Sequence, residues 1–338
     1  MARRSFFQLP TRRRLIVLGA LIIAGPSGWF LWQPGATVTD GRHDRRHNGL
    51  WLQHGWLADD GWFIRNGKED RMNQLRDPAA LAAQVELCRR HHITDLFPHL
   101  CPANSDGALP AVDDAQVERF LGAFAAPEFR VMPWVGGAYE SGAGPSDANW
   151  RNAFVVSIAD LMARHPRLAG VHVNIEPCPS GHAGLLNLLE ELRPVFPTGK
   201  LISVAAYPPP TILHRFPDVH WEEGYFRQVA TRCDQMVVMM YDTSIRTPKL
   251  YRNLMRSWTR EVISWAGDKQ VLLGLPTYDD ADSGDHDPSV ENLMNALSGV
   301  HAGLMSFPTM PPSYQGVAIY CDWEMTSDEW QTFRENFL

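Results

Sequence analysis

Three polar residues alternate with apolar ones in the run Gly170–Glu176 near the middle of the chain. Side chains of a β-strand point alternately to opposite faces, so His172, Asn174 and Glu176 share one face. Polar groups on a buried face cost free energy unless they bond to one another, as in a structural network, or to a ligand. Burial also raises the pKa of a carboxyl group toward the range of a general acid. We therefore predict that Glu176 is a catalytic acid/base.

Aromatic and polar residues follow the other short apolar runs of the chain. Those predicted to bind substrate are Trp56, Trp134, Tyr207, Asp242, Tyr278 and Trp323, together with His172. An aromatic ring offers a large, rigid apolar face, which suits the apolar face of a sugar ring. A single aromatic residue more often packs in a core, but several at the ends of successive strands indicate a carbohydrate cleft.

Eight short apolar runs alternate with stretches of helical periodicity, which predicts a (β/α)8 TIM barrel of the α/β class. Continuous apolar runs are typical of parallel strands that are buried on both faces. A doubly wound open sheet is the alternative, but no Gly-x-Gly-x-x-Gly follows the first run. The predicted strands are Leu50–Gln53, Thr94–Pro98, Arg130–Val135, Gly170–Ile175, Leu201–Ala206, Gln235–Met240, Val271–Leu275 and Gly316–Tyr320. Active sites of such barrels lie at the carboxyl ends of the strands.

Several of these strand ends resemble motifs of known glycoside hydrolases. Residues 169–176, Ala-Gly-Val-His-Val-Asn-Ile-Glu, resemble the D-G-x-D-x-D-x-E of family 18 chitinases, whose final Glu donates the proton. The N-x-E ending is similar to that of family 85 endo-β-N-acetylglucosaminidases. Met239–Asp242 resembles the M-x-Y-D of family 18, and Trp134–Gly137 resembles its S-x-G-G with Trp134 in place of Ser. Gly316–Trp323 is similar to the last strand, which carries a sugar-platform Trp.

The chain departs from the family 18 signature at its first three acidic positions. Ala169, His172 and Asn174 occupy them, so the chitinase carboxylate pair is absent. In both resembled families the 2-acetamido oxygen of the substrate attacks the anomeric carbon, and one protein carboxyl is sufficient. The resemblance thus implies a substrate-assisted retaining hydrolase of glycans that contain N-acetylhexosamine.

The same resemblance implies a role for each matching residue. Glu176 would protonate the glycosidic oxygen and later deprotonate water, while Asn174 would support the acetamido N–H. Tyr241 would hydrogen-bond the acetamido carbonyl oxygen, and Trp323 would form the floor of the sugar subsite. Asp242 would orient the sugar. His172 is expected to hydrogen-bond Asn174.

Three other interpretations of the function remain open at this point. Chitinase-like lectins keep the barrel and the aromatic cleft without catalysis, although they usually lose the final Glu. A two-carboxylate glycosidase acting on non-acetylated polysaccharide would pair Glu176 with Asp242, Asp279 or Glu324. An inner-membrane assembly protein with a decayed barrel is the third alternative.

The amino-terminal segment predicts export from the cytoplasm. Residues 1–32 contain five arginines and then an apolar stretch, Leu15–Trp32, whose length of roughly 27 Å matches a bilayer core. We expect an uncleaved single-pass anchor in the inner membrane, with the arginines on the cytoplasmic side. A cleaved signal is the alternative. Residues 33–48 are predicted to be a linker, and residues 49–338 a periplasmic catalytic domain.

Charge and cysteine content exclude several partners and cofactors. The net charge is −7 and the five arginines precede residue 33, so the domain lacks the basic face that a nucleic-acid partner requires. The five cysteines have no C-x-x-C spacing, which argues against a zinc site, and we expect no metal and no cofactor. The Asp- and Gly-rich segment Thr277–Asp287 is predicted to be a loop over the cleft.

Overall fold

The structure is a computed structural model that describes residues 28–57, 60–138, 144–212, 214, 216–279 and 285–338. Most of the expected membrane anchor, residues 1–27, lies outside the described residues. Within the described part of the chain, no helix has both the length and the apolar character to span a bilayer.

Nine parallel strands close into a barrel, because β1 pairs with both β2 and β9. Strands β3 and β4 together occupy the third strand position of the barrel, with an interruption at Met132 and Pro133. The barrel therefore has eight strand positions, and the predicted (β/α)8 fold is confirmed. The strands are β1 Asn48–Leu52, β2 Ile93–Leu100, β3 Arg130–Val131, β4 Trp134–Ala138, β5 Gly170–Glu176, β6 Leu201–Ala206, β7 Gln235–Met239, β8 Gln270–Pro276 and β9 Tyr314–Tyr320.

Helices surround the barrel and begin where side chains cap their free N–H groups. Asp77, Asp113 and Asp147 each accept hydrogen bonds from the first turn of a helix, as expected of an N-cap. Thr326 and Glu329 form a capping box at the last helix. The helices are α1 Asp60–Arg65, α2 Glu69–Arg76, α3 Pro78–Arg90, α4 Asp114–Ala123, α5 Ala148–Arg164, α6 Ala183–Leu192, α7 Glu223–Ala230, α8 Pro248–Trp265, α9 Leu293–Leu304 and α10 Ser327–Asn336.

The segment predicted to be a linker lies against the barrel. Ala36 donates its backbone N–H to the carbonyl of Ser298 on α9 at 2.9 Å. The buried ring of His43 hydrogen-bonds His301, which is also on α9, at 2.8 Å. Residues 36–43 are thus packed on the outer surface of the domain.

The interior of the barrel contains a connected polar chain. The His172 ring bonds the Ser203 hydroxyl at 2.8 Å, and that hydroxyl donates to Gln235 at 2.7 Å. Gln235 donates in turn to the buried carboxylate of Asp95 at 2.6 Å, which Arg130 also contacts at 2.6 Å. Buried polar groups with these partners avoid the cost of lost hydration. The network runs below the strand ends that carry the candidate site.

Candidate active site

Strand β5 carries the predicted acid to the carboxyl end of the barrel, and β4 lies directly beside it. Gly136 is opposite Asn174, and Ala138 is opposite Glu176. Gly136 has a φ of +101°, and a Cβ at this position would lie 2.1 Å from the Asn174 carbonyl oxygen. Only glycine permits this conformation at this separation. The close approach of the two strands fixes the backbone under Asn174 and Glu176.

Glu176 lies at the end of β5, where its surroundings favour the protonated carboxyl. Burial raises the pKa of Glu176, and the nearby charge of Asp242 raises it further. Hydrogen bonds from Asn174 and Tyr207 oppose this rise only in part. A carboxyl group with a raised pKa is suited to general acid catalysis.

Asn174 connects this acid to a free hydrogen-bond acceptor. Its side-chain nitrogen Nδ2 donates to Oε1 of Glu176 at 2.5 Å. Its oxygen Oδ1 is buried and has no hydrogen-bond partner among the described residues. Because buried polar atoms are nearly always satisfied, this oxygen points to a ligand that supplies a donor.

Two cavities meet at Glu176, Met239, Tyr241 and Asp242. The first, which we call the aromatic cavity, measures about 320 Å³ and is also lined by Trp51, Trp134, Asn174, Tyr278, Tyr320, Cys321, Trp323 and Glu324. The second, the histidine cavity, measures about 390 Å³ and is also lined by Tyr207, Pro208, His214, Phe216, Asp218, Val219, His220 and Asp285. Glu176 therefore borders two neighbouring cavities.

Tyr241 stands between the two cavities with its ring held by other aromatics. It stacks on Tyr320 at a centroid distance of 5.0 Å and meets Tyr278 edge-on at 6.0 Å. Burial raises the pKa of Tyr241 well above its usual value, and the neighbouring Tyr320 adds to this. The phenol consequently keeps its proton and can donate a hydrogen bond.

Asp242 is connected to a buried charge network behind the site. Its carboxylate accepts a hydrogen bond from Tyr278, and the His286 Nδ1 lies 3.9 Å from it. The same nitrogen is 3.7 Å from Glu291, a fully buried carboxylate that accepts bonds from the Thr243 backbone and hydroxyl. The His286 Nε2 must donate to the Tyr278 carbonyl at 2.9 Å. A proton on Nδ1 as well makes His286 the cation between two carboxylates.

The electrostatic shifts agree with that assignment. Burial alone would lower the pKa of His286, but the hydrogen bond and charge of Glu291 raise it above its usual value. Burial raises the pKa of Asp242, and Tyr278 opposes this by donating to it. The network thus favours a protonated His286 behind the Asp242 carboxyl, which lines both cavities.

Most of the residues predicted from the sequence meet at this site. Those that line the aromatic cavity are Asn174, Glu176, Tyr241, Asp242, Trp134, Tyr278 and Trp323. Tyr207 lines the histidine cavity.

Two predicted residues lie elsewhere. His172 is fully buried below the site, where it accepts from Trp51 at 3.2 Å and bonds Ser203, so the expected bond to Asn174 is wrong. Trp56 is buried against Phe120 in the core outside the barrel and lines neither cavity. The chain turns after β1 and carries the Trp56 ring away from the mouth, which strand-end position alone does not reveal.

Sequence reasoning missed the histidines of the site. His214 and His220 line the second cavity from the loop between β6 and α7, and His286 reaches the network from the loop after β8. For His286 the one signal was the Asp- and Gly-rich character of residues 277–287, which predicted a loop over the cleft; residues 280–284 of that segment lie outside the described residues.

Comparison with known proteins identifies the fold. No protein-family model and no curated protein matches the sequence. The spore cortex-lytic enzyme SleL of Bacillus cereus aligns over 86% of this chain and 74% of its own, with a TM-score of 0.56 and 11% identity. A class V chitinase of Pseudomonas fluorescens Pf-5 aligns over 86% and 100%, with a TM-score of 0.52 and 12% identity. The chitinase RmChi1 of Rhizomucor miehei aligns over 72% and 92%, with a TM-score of 0.50 and 16% identity.

These solved structures share the parallel barrel, and the chain accordingly has a family 18-like, chitinase-like barrel fold. At such identities the likeness concerns the fold alone, because one fold carries many different functions.

Proposed function

We propose that this protein is a glycoside hydrolase that cleaves glycans containing N-acetylhexosamine. The observation that carries the proposal is the pairing of Asn174 with Glu176 at the aromatic cavity. The Asn174 Nδ2 donates a hydrogen bond to the Glu176 carboxyl. The Asn174 Oδ1 is a buried acceptor with no partner among the described residues. The likeness of the fold to chitinases and to a spore cortex-lytic enzyme agrees with this class of reaction.

Substrate binding follows from the lining of the aromatic cavity. A hexosamine ring packs on Trp323 and the neighbouring aromatic faces, which bury its apolar side. The acetamido N–H donates to Oδ1 of Asn174, and the Tyr241 hydroxyl donates to the acetamido oxygen. These two contacts hold that oxygen beneath the anomeric carbon, where positioning lowers the barrier by several kcal/mol.

The reaction then takes two steps. The acetamido oxygen bonds to the anomeric carbon while the glycosidic bond breaks, and Glu176 gives its proton to the departing oxygen. Water next attacks the anomeric carbon, Glu176 accepts a proton from it, and the oxazolinium ring opens. Two displacements at the same carbon give net retention, with the substrate in place of a second carboxylate.

The test compares Glu176→Gln with the parent protein on a fluorogenic N-acetylglucosaminide. We expect turnover to be abolished while oligosaccharide binding is retained, because the amide keeps the shape but cannot donate the carboxyl proton. Glu86→Gln on the exposed face of α3 is the matched control and should behave like the parent. Near-normal hydrolysis by Glu176→Gln would eliminate the proposal.

A two-carboxylate glycosidase is the second candidate, since Asp242 shares both cavities with Glu176. The matching glucoside, which lacks the acetamido group, separates the two mechanisms. We expect it to resist cleavage, and efficient cleavage would favour Asp242 as the nucleophile.

We further infer a periplasmic site of action with an inner-membrane anchor, supported by the arginines and apolar run of residues 1–32. Fractionation of cells that express the whole chain tests this. Recovery of the full-length protein in the membrane fraction, accessible to protease from the periplasm, is the expected result.

A further inference from the structure

The histidine cavity adjoins the aromatic cavity at Glu176. Both spaces are bordered by Glu176, Tyr241 and Asp242. If the proposed function holds, the acetamido sugar occupies the aromatic cavity and its leaving group extends past the acid. The leaving group then enters the histidine cavity, whose volume of about 390 Å³ is sufficient for a hexose unit.

Carboxylates dominate the polar lining of this cavity. Asp218, Asp242 and Asp285 border it, while none of its described lining residues is Lys or Arg. The charge of Asp285 acts on Asp242 and helps to raise the pKa of that carboxyl, after burial and Glu291. Within the described chain, no Lys or Arg forms an ion pair with any of the three; the His286 ring lies 3.9 Å from Asp242, but Asp242 shares it with Glu291. A cationic ligand would relieve this repulsion.

His214 and His220 add an uncharged hydrogen-bond acceptor to the carboxylates of this cavity. The His220 Nδ1 lies 3.0 Å from the Pro208 carbonyl and must donate to it, so the His220 Nε2 accepts from the His214 Nδ1. Burial lowers the pKa of His214 to about 4, which keeps its ring neutral. In this tautomer its Nε2 carries a lone pair, and the ring is buried in the cavity wall beside the backbone of Asp242.

The cavity thus combines negative charge with a buried acceptor, and its apolar wall includes Phe216 and Val219. A fitting ligand presents several donors, one positive charge and an apolar face. An N-acetyl group or a uronic acid would add acceptors or negative charge and fits less well. A hexosamine with a free ammonium group meets all three requirements.

We propose that the histidine cavity binds a de-N-acetylated hexosamine as the leaving group. The enzyme would then cut between an N-acetylated unit in the aromatic cavity and a free-amine unit in the histidine cavity. Its substrates would be partially de-N-acetylated hexosamine polymers.

The test uses pairs of N-acetylglucosaminyl disaccharides in each common linkage. The second sugar is glucosamine in one member of a pair and N-acetylglucosamine in the other, at about pH 6, where the amine is protonated. We expect kcat/KM to be about 10-fold higher for the free amine, and high salt to reduce this ratio by screening. A ratio of one or less, or no cleavage of any disaccharide, would overturn the proposal.

Charge-removing variants test the assigned residues. Asp218→Asn and Asp285→Asn should each lower the preference for the free amine about threefold, as expected for partly exposed charges. Asp268→Asn, which removes an exposed carboxylate beside Lys269 before β8, is the matched control and should keep the full preference. An unchanged preference in both test variants would reject the cavity as the source of selectivity. A parent protein that does not cleave the fluorogenic substrate, or cleaves it equally well without Glu176, would instead count against the proposed function.

Discussion

The amide of Asn174 and the carboxyl of Glu176 form one functional unit at the end of β5. Nδ2 of Asn174 donates to Oε1 of Glu176 at 2.5 Å, and Oδ1 of Asn174 remains a buried acceptor. A substrate that bonds to Oδ1 therefore also fixes the orientation of the group that holds the acid. In the proposed mechanism, this amide would therefore couple substrate recognition to the position of the proton donor.

Asn174→Ala is expected to lower kcat/KM on an acetamido substrate about 10- to 1000-fold, on the scale of a lost transition-state hydrogen bond. The hydrogen bond from Asn174 lowers the pKa of Glu176, so its removal should move the alkaline limb of the pH–rate profile to higher pH. Rates measured across pH check both effects. An alkaline limb that stays in place would show that the amide does not act on the acid.

If the proposed function holds, the parent protein should lose activity as the pH rises through the raised pKa of Glu176. The first step needs the protonated carboxyl, and burial keeps it protonated above the usual range of a glutamic acid. A profile of kcat/KM against pH should therefore show an alkaline limb above about pH 4.3, the ordinary value. A fall in activity already complete near that ordinary value would contradict the assignment of Glu176 as the acid.

His286→Gln is expected to reduce the free energy of unfolding by about 1–3 kcal/mol, because it removes the cation between Glu291 and Asp242. The pKa of His286 is raised in the folded state, so its contribution is complete below the unfolded value and fades as pH rises through the folded value. The difference in Tm between parent and variant should thus be largest in mildly acidic buffer. The double variant with Glu291→Gln should be less destabilised than the two single effects combined, and simple additivity would contradict the pairing.

Trp323→Ala is expected to raise KM about 10-fold on an oligosaccharide, since the ring forms part of the aromatic cavity and meets Tyr320 edge-on at 5.7 Å. The protein should remain folded because Trp323 is only partly buried. Substrate-saturation curves measure the change. A KM equal to that of the parent would exclude Trp323 from the sugar subsite.

Trp56→Ala should affect stability and leave the site intact. Trp56 is 3% exposed and packs on Phe120 in the core outside the barrel, so truncation is expected to cost about 3–5 kcal/mol. Urea unfolding measures this loss, while KM of the folded fraction should equal that of the parent. A raised KM with normal stability would restore the original prediction that Trp56 binds substrate.

The sequence by itself determined the barrel and the position of Glu176 at the end of an inner strand. Strand periodicity and parallel-strand composition are local properties, so the alternation in Gly170–Glu176 was enough to place Asn174 and Glu176 on one inward face. The order of strands followed from eight repeated units. Chain order also placed Tyr241, Asp242 and Trp323 at strand ends, and the structure puts all three around the same cavity.

Tertiary structure decided which of the other residues reach the site. The periodicity placed His172 on the same face as Asn174. It could not show that Trp51 and Ser203 hydrogen-bond the two ring nitrogens of His172. Trp56 turns into the core, whereas His214, His220 and His286 enter from loops whose paths carry no periodic signal. Local patterns set the face on which a side chain lies, but contacts between distant segments depend on how the loops fold over the barrel.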